Sequence, residues 1–424
     1  MPSPFISNSR RNRRRWPWIL AALVVLLAGA GLGVWLIWGK KTKDVTNPNA
    51  EFQDTGGGPA QPDKKKRRGE TFVWSTYGFS ETRTRYLNAA IKPPFKPLWK
   101  YAGGDLIEFQ PVLAKGTLFF LKNHGIAVAL DAKTGKVRWQ RRVGSLNASS
   151  PTWDKGKLYL TTLSPGQALS LDAKTGKILW RKKLPSRTES SPLVLNGRVY
   201  FGSEDGTVYA VKAKDGSNVW THKAGGAVKA APAYSGGKIY FGDYGGSVTA
   251  LNIKDGSTAW NTGTSGREFG RSGQFYSTPA LAYGRVYLGN TDGRVYSFVA
   301  RTGQLAWSHS TGAYVYAAPA VATVPGTKPT VYIGSYDGNF YALDARDGSQ
   351  RWKYGAGGKI SGAPTIIGTV VYFSNLASKE TSGLDVKSGK RVFKIKRGAF
   401  NPVISDGKRI YLTGFSSEYA LVPK

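Results

Sequence analysis

ALDAKTGKVRW, residues 129–139, decides the reading of this chain because six further copies follow it. They are SLDAKTGKILW (170–180), AVKAKDGSNVW (210–220), ALNIKDGSTAW (250–260), SFVARTGQLAW (297–307), ALDARDGSQRW (342–352) and GLDVKSGKRVF (383–393). Each copy reads as the end of a strand, a tight turn and the start of the next strand. The invariant glycine supplies the φ > 0 position, and the Asp, Asn, Thr, Ser and Lys before it are turn residues. Four residues past each glycine stands an aromatic: Trp139, Trp180, Trp220, Trp260, Trp307, Trp352 and, last, Phe393. Such rings are large enough to fill the gap between stacked sheets. The glycines fall 41, 40, 40, 47, 45 and 41 residues apart, a period that belongs to propellers and solenoids.

A second marker counts the units. Short apolar strands begin at Pro111, Pro151, Pro192, Pro232, Pro279, Pro319, Pro364 and Pro402, eight starts against seven docking turns. The last unit, 402–424, stops where its turn should come, and Trp99 in PLWKY is a spare copy of the missing strand. The sequence therefore predicts an all-β, eight-bladed propeller of four-stranded antiparallel blades over 71–424. A strand near 95–101 closes the blade begun at 402–424. Closure protects sheet edges in a chain that has no cysteine and so no disulfide.

The start of the chain is different in kind. Residues 1–15 form a basic tail ending in RRNRRR, and an uncharged apolar run extends from Trp16 to Trp38. Its 23 residues would reach about 34 Å as a helix, enough for a hydrocarbon core of about 30 Å. Indoles at both ends and arginines before the run predict a single-pass signal anchor, with the N-terminus cytoplasmic and the propeller outside the cytoplasm. A cleaved signal peptide is the rival reading. Residues 39–70, with GGG at 56–58 and KKKRR at 64–68, read as a flexible linker.

After these come WSTYG (74–78), TRY (84–86) and PLWKY (97–101). With the A-x-D-x-x-T-G-x-x-x-W copies, they make the domain resemble the pyrroloquinoline-quinone-like β-propeller family, from Phe72 to the C-terminus. The family's catalytic members hold a quinone on an indole, with Ca²⁺ bound by Glu, Asn and Asp and an aspartate as base. Others are non-catalytic and act in outer-membrane barrel assembly (BamB-like), and this chain is similar to that kind with a transmembrane anchor added. It departs from the lipoprotein members in lacking an acylated cysteine.

In a propeller the connections into the inner strands gather at one channel mouth. Three residues before the eight prolines stand Glu108, Ala148, Glu189, Lys229, Tyr276, Tyr316, Ser361 and Ala399. The longest connection, 261–279, adds Arg267 and Arg271. The candidate binding ring is thus Glu108, Glu189, Lys229, Arg267, Arg271, Tyr276 and Tyr316, rich in the residue types that dominate recognition. His124, His222 and His309 lack metal-ligand spacing. No catalytic residue, metal or cofactor is expected, since sparse acids offer Ca²⁺ few convergent oxygens.

The chain carries 60 Lys+Arg against 26 Asp+Glu, a net charge of +34. Nucleic acid would suit such charge, but the predicted topology points instead to an envelope protein or an anionic envelope polymer. The expected function is a binding or assembly scaffold at the cell membrane, built on a monomeric propeller. A quinone- and Ca²⁺-dependent dehydrogenase and a sensor ectodomain are the alternatives.

Overall fold

Each repeat copy joins the third and fourth strands of one sheet, as between Ile126–Asp131 and Val137–Arg142. In the computed structural model, which describes residues 44–54, 73–264 and 273–424, eight four-stranded antiparallel blades follow one another. Their innermost strands start one residue after the marker prolines, at Val112, Thr152, Leu193, Ala233, Ala280, Ala320, Thr365 and Val403. Blades one to seven span 112–142, 152–183, 193–223, 233–263, 280–310, 320–355 and 365–395. Blade eight takes three strands from the C-terminus, and Phe95–Ala102 pairs antiparallel to Ser417–Pro423 as its fourth. The two ends of the domain thus share one sheet.

Adjacent blades are locked by the repeated aromatic. The Trp99 indole N–H donates to the Ala132 carbonyl in the turn of blade one, at 3.2 Å. Trp139, Trp180, Trp220, Trp260, Trp307 and Trp352 do the same to the next turn, at 2.9–3.2 Å. Each turn glycine lies flat on that indole: a Cβ on Gly135 would sit 2.7 Å from the Trp99 ring, and its φ is +71°. Two independent constraints therefore select glycine there. Phe393 faces blade eight, which has no such turn to offer a carbonyl, and it packs edge-on against Phe95 at 5.5 Å. A phenyl needs no acceptor, which accounts for the one departure from tryptophan.

Residues 74–87 wind around the channel and serve the inner strands in turn. Backbone carbonyls of Trp74, Ser75, Glu81, Thr82, Thr84 and Arg85 accept from Leu113, Trp153, Tyr234, Leu281, Val321 and Ile366, at 2.7–3.0 Å. These belong to blades one, two, four, five, six and seven. The segment is pinned by two buried guanidiniums. Arg83 donates to the carbonyls of Tyr77, Pro232 and Pro192, and Arg85 to those of Arg83 and Pro319. Burial, and then Arg85 beside it, lowers the Arg83 pKa to about 9.

The expected flexible linker is corrected over part of its length. Residues 44–54 lie on blade five, where Val45–Thr46 adds a strand beside Leu305–Ser310. Ala50 is buried, Phe52 stacks on Tyr283 with ring centroids at 5.3 Å, and Arg285 donates to the Ala50 and Glu51 carbonyls. A few apolar contacts and an open strand edge suffice to order this polar stretch. The basic tail, the apolar run 16–38 and the KKKRR cluster lie outside the described residues. Among the described residues no helix is long and apolar enough to cross a membrane.

Candidate binding site at the channel mouth

The connections into successive inner strands converge at one end of the channel, and six of the eight residues three before a marker proline meet there. Glu108, Glu189, Lys229, Tyr276, Tyr316 and Ser361 line one cavity, with Tyr77 of the channel segment and Asn401. Arg267 and Arg271 lie outside the described residues. The cavity holds ≈ 40 Å³, room for a few waters, where drug-sized ligands take roughly 300–1,000 Å³.

Lys229, Glu189, Glu204 and Arg187 pair with one another. The Lys229 ammonium sits 2.7 Å from Glu189 and 3.0 Å from Glu204. Arg187 closes on Glu204 at 2.8 Å, and the Tyr276 hydroxyl donates to Glu189 at 2.9 Å. Burial opposes the Lys229 charge, but its two carboxylate partners outweigh that and hold its pKa above the ordinary value. Tyr276 is pushed far up by burial and by Glu189, so it stays a donor.

Glu108 differs from the rest. Burial, with the Glu189 charge adding to it, pushes its pKa up to about 7. Its backbone carbonyl accepts from Asn401 at 3.0 Å, and the Asn401 Oδ1 in turn accepts from Tyr77. A folded pKa above the unfolded one means the native state holds the extra proton, so stability falls as pH rises from about 4.5 through 7. Glu108→Gln is therefore expected to flatten the decline in melting temperature between pH 5 and pH 8. It should gain roughly 2 kcal/mol on wild type at pH 8 and little at pH 5. Equal slopes in the two proteins, followed calorimetrically, would contradict this assignment.

A chain of aromatics extends the cavity along blades four to six. Tyr276 neighbours Tyr244 at 6.5 Å and Tyr316 at 5.8 Å; Tyr316 neighbours Tyr314 at 5.8 Å and Tyr336 at 4.9 Å. Lys229 lies over Tyr244 and Lys359 over Tyr336, each 5.4 Å from the ring centre. Sequence spacing missed Glu204, Tyr244 and Tyr336. All three follow the second strand of their blades, next to GSEDG, GDYGG and GSYDG, and those glycine-bearing turns were the available signal.

The described residues do not fit a quinone with its calcium. The Lys229 ammonium lies between Glu189 and Glu204 and opposes a further cation there, and the ≈ 40 Å³ cavity among the described residues is smaller than a tricyclic ring. Among the described residues no cluster of three or more His, Asp or Glu could hold a metal ion.

Several solved structures share the fold. BamB from Moraxella catarrhalis superposes with a TM-score of 0.63 at 19% identity, over 78% of this chain and 100% of that one. A europium-containing methanol dehydrogenase gives 0.68 at 16% identity, over 84% and 98%. Quinohemoprotein alcohol dehydrogenase from Comamonas testosteroni gives 0.68 at 14% identity, over 83% and 81%. At such identities the likeness is one of fold alone. No curated protein matches the sequence. A family profile described as outer membrane protein assembly factor BamB matches residues 73–169, 162–323 and 292–414. The chain therefore belongs to that family of quinoprotein-like propellers.

Proposed function

We propose that this chain is a binding or assembly scaffold whose channel mouth docks a protein partner. The observation that carries the reading is the Lys229 ammonium held between Glu189 and Glu204 above a plugged channel. It pairs with both carboxylates and leaves a polar, tyrosine-edged surface. Tyrosines supply large contact area at little entropic cost, and rigid ones beside satisfied charges make good anchors for a protein surface. The apolar run 16–38 supports a single-pass anchor, with residues 1–15 in the cytoplasm and the propeller outside it. The family profile, described as an assembly factor, supports the same class of role.

The dehydrogenase reading draws on the fold shared with two alcohol-oxidising enzymes. Full-length protein supplied with pyrroloquinoline quinone and Ca²⁺ or Eu³⁺ is expected to give no dye-linked oxidation of methanol, ethanol or glucose. Metal-dependent turnover that Glu189→Gln abolishes would overturn the scaffold reading.

A further inference from the structure

The outer strands of the eight blades form the rim of the ring, and their charge is unevenly distributed. Blades seven, eight, one and two present RVFKI (Arg391–Ile395), FKPLWKYA (Phe95–Ala102), VRWQRR (Val137–Arg142) and ILWRKK (Ile178–Lys183). These four strands hold ten Lys and Arg and no acid. The outer strands of blades three to six, NVWTHK, TAWNTG, LAWSHS and QRWKYG, hold three. Of the ten, Arg138 and Lys394 have a carboxylate within 4.0 Å among the described residues, on Asp131 and Glu380.

The same four strands carry exposed aliphatics. Val392, Leu98, Val137 and Leu179 are 44–49% exposed, one on each blade and within two residues of the docking aromatic. Lysines on edge strands often serve to prevent strand-to-strand aggregation. That need would be met on every blade, yet among the described residues the outer edges of blades three and four are unpaired and carry little charge. Blade five, across the ring from blade one, is covered instead by residues 44–54. Solubility alone asks for charge and is worsened by four exposed aliphatics. Cationic side chains alternating with aliphatic ones match an anionic bilayer surface, where the charges meet headgroups and the alkyl chains enter the acyl boundary.

We propose that the half rim formed by blades seven, eight, one and two is a docking face for an anionic lipid surface. It is separate from the channel mouth and independent of the reading given to that mouth. The aliphatic residues favour lipid over a polysaccharide, which has no apolar phase to receive them.

The test uses full-length protein held in phosphatidylcholine nanodiscs, which occupy the apolar run, and measures co-flotation with added vesicles. Vesicles of phosphatidylcholine mixed with phosphatidylglycerol should capture the protein, and pure phosphatidylcholine vesicles should not. Combined Arg141→Glu, Arg181→Glu and Lys183→Glu should weaken capture by more than about 100-fold at low salt. Leu98→Ser with Leu179→Ser should abolish the part that survives high salt. The control pair Lys223→Glu and Lys353→Glu, on the sparse side, should change it several-fold less than the triple variant. Unchanged melting temperatures verify folding. No capture, equal loss in the control, or retention by heparin with none by vesicles would each overturn the proposal.

Discussion

Deleting residues 73–102 is expected to leave no cooperatively folded propeller. The deletion removes the fourth strand of blade eight, Phe95–Ala102, and with it the Trp99 clamp on blade one. It also strips six inner-strand N–H groups of their acceptors in the channel segment. A buried donor left unpaired costs about 1–3 kcal/mol, so six approach or exceed the roughly 5–15 kcal/mol that holds a typical domain folded. Water entering the emptied channel would recover part of that loss but not the missing strand. Near-ultraviolet circular dichroism should lose its tertiary signal, with exposed apolar surface in its place. A truncated chain melting within a few degrees of wild type would contradict closure by the two ends.

Trp307→Ala should be the most damaging of the single docking substitutions, because this indole is fully buried and bonds to the Ala345 carbonyl at 3.0 Å. The expected loss is about 3–5 kcal/mol. Gly348→Val on the facing turn should cost a similar amount by another route. Its φ is +79°, and a Cβ would lie 2.7 Å from the Trp307 ring. Left-handed backbone costs a side chain roughly 1–2 kcal/mol, and overpacking adds about 1–3. Trp99→Phe should lose little more than its one hydrogen bond, about 1 kcal/mol. Chemical denaturation of the three variants checks the order. Losses under 1 kcal/mol for the first two would mean that the blades are not held at these turns.

The fold was legible because its decisive features repeat. A glycine that must touch an indole, and a proline that must open an inner strand, recur at fixed spacing and locate every blade. The mouth was partly legible for the same reason, since equivalent positions in a ring must converge. Thus Glu108, Glu189, Lys229, Tyr276 and Tyr316 were found without any motif, whereas Arg267 and Arg271 lie outside the described residues. Glu204 escaped because it acts from a hairpin whose equivalents in most blades do nothing similar. The channel segment escaped for a different reason. Its work is done by backbone carbonyls, with Phe79, Arg83 and Arg85 at positive φ, and no side-chain pattern records such a path. Residues 44–54 read as a linker because their composition is polar. The edge that receives them, and the Arg285 that needs their carbonyls, lie more than 230 residues away.

The central claim is that the mouth is where a protein partner docks, and one measurement bears on it directly. A photo-reactive phenylalanine replaces Tyr314, which is 46% exposed beside the tyrosine arc. A second protein carries it at Asn196, an exposed turn of blade three on the opposite face. Both are irradiated in the cells that produce them. A single discrete adduct is expected from position 314 and none from 196, and Tyr316→Ala or Tyr336→Ala, at half-buried positions of the arc, should remove it without lowering protein abundance. No adduct from 314, equal adducts from both positions, or an adduct indifferent to both substitutions would contradict the account.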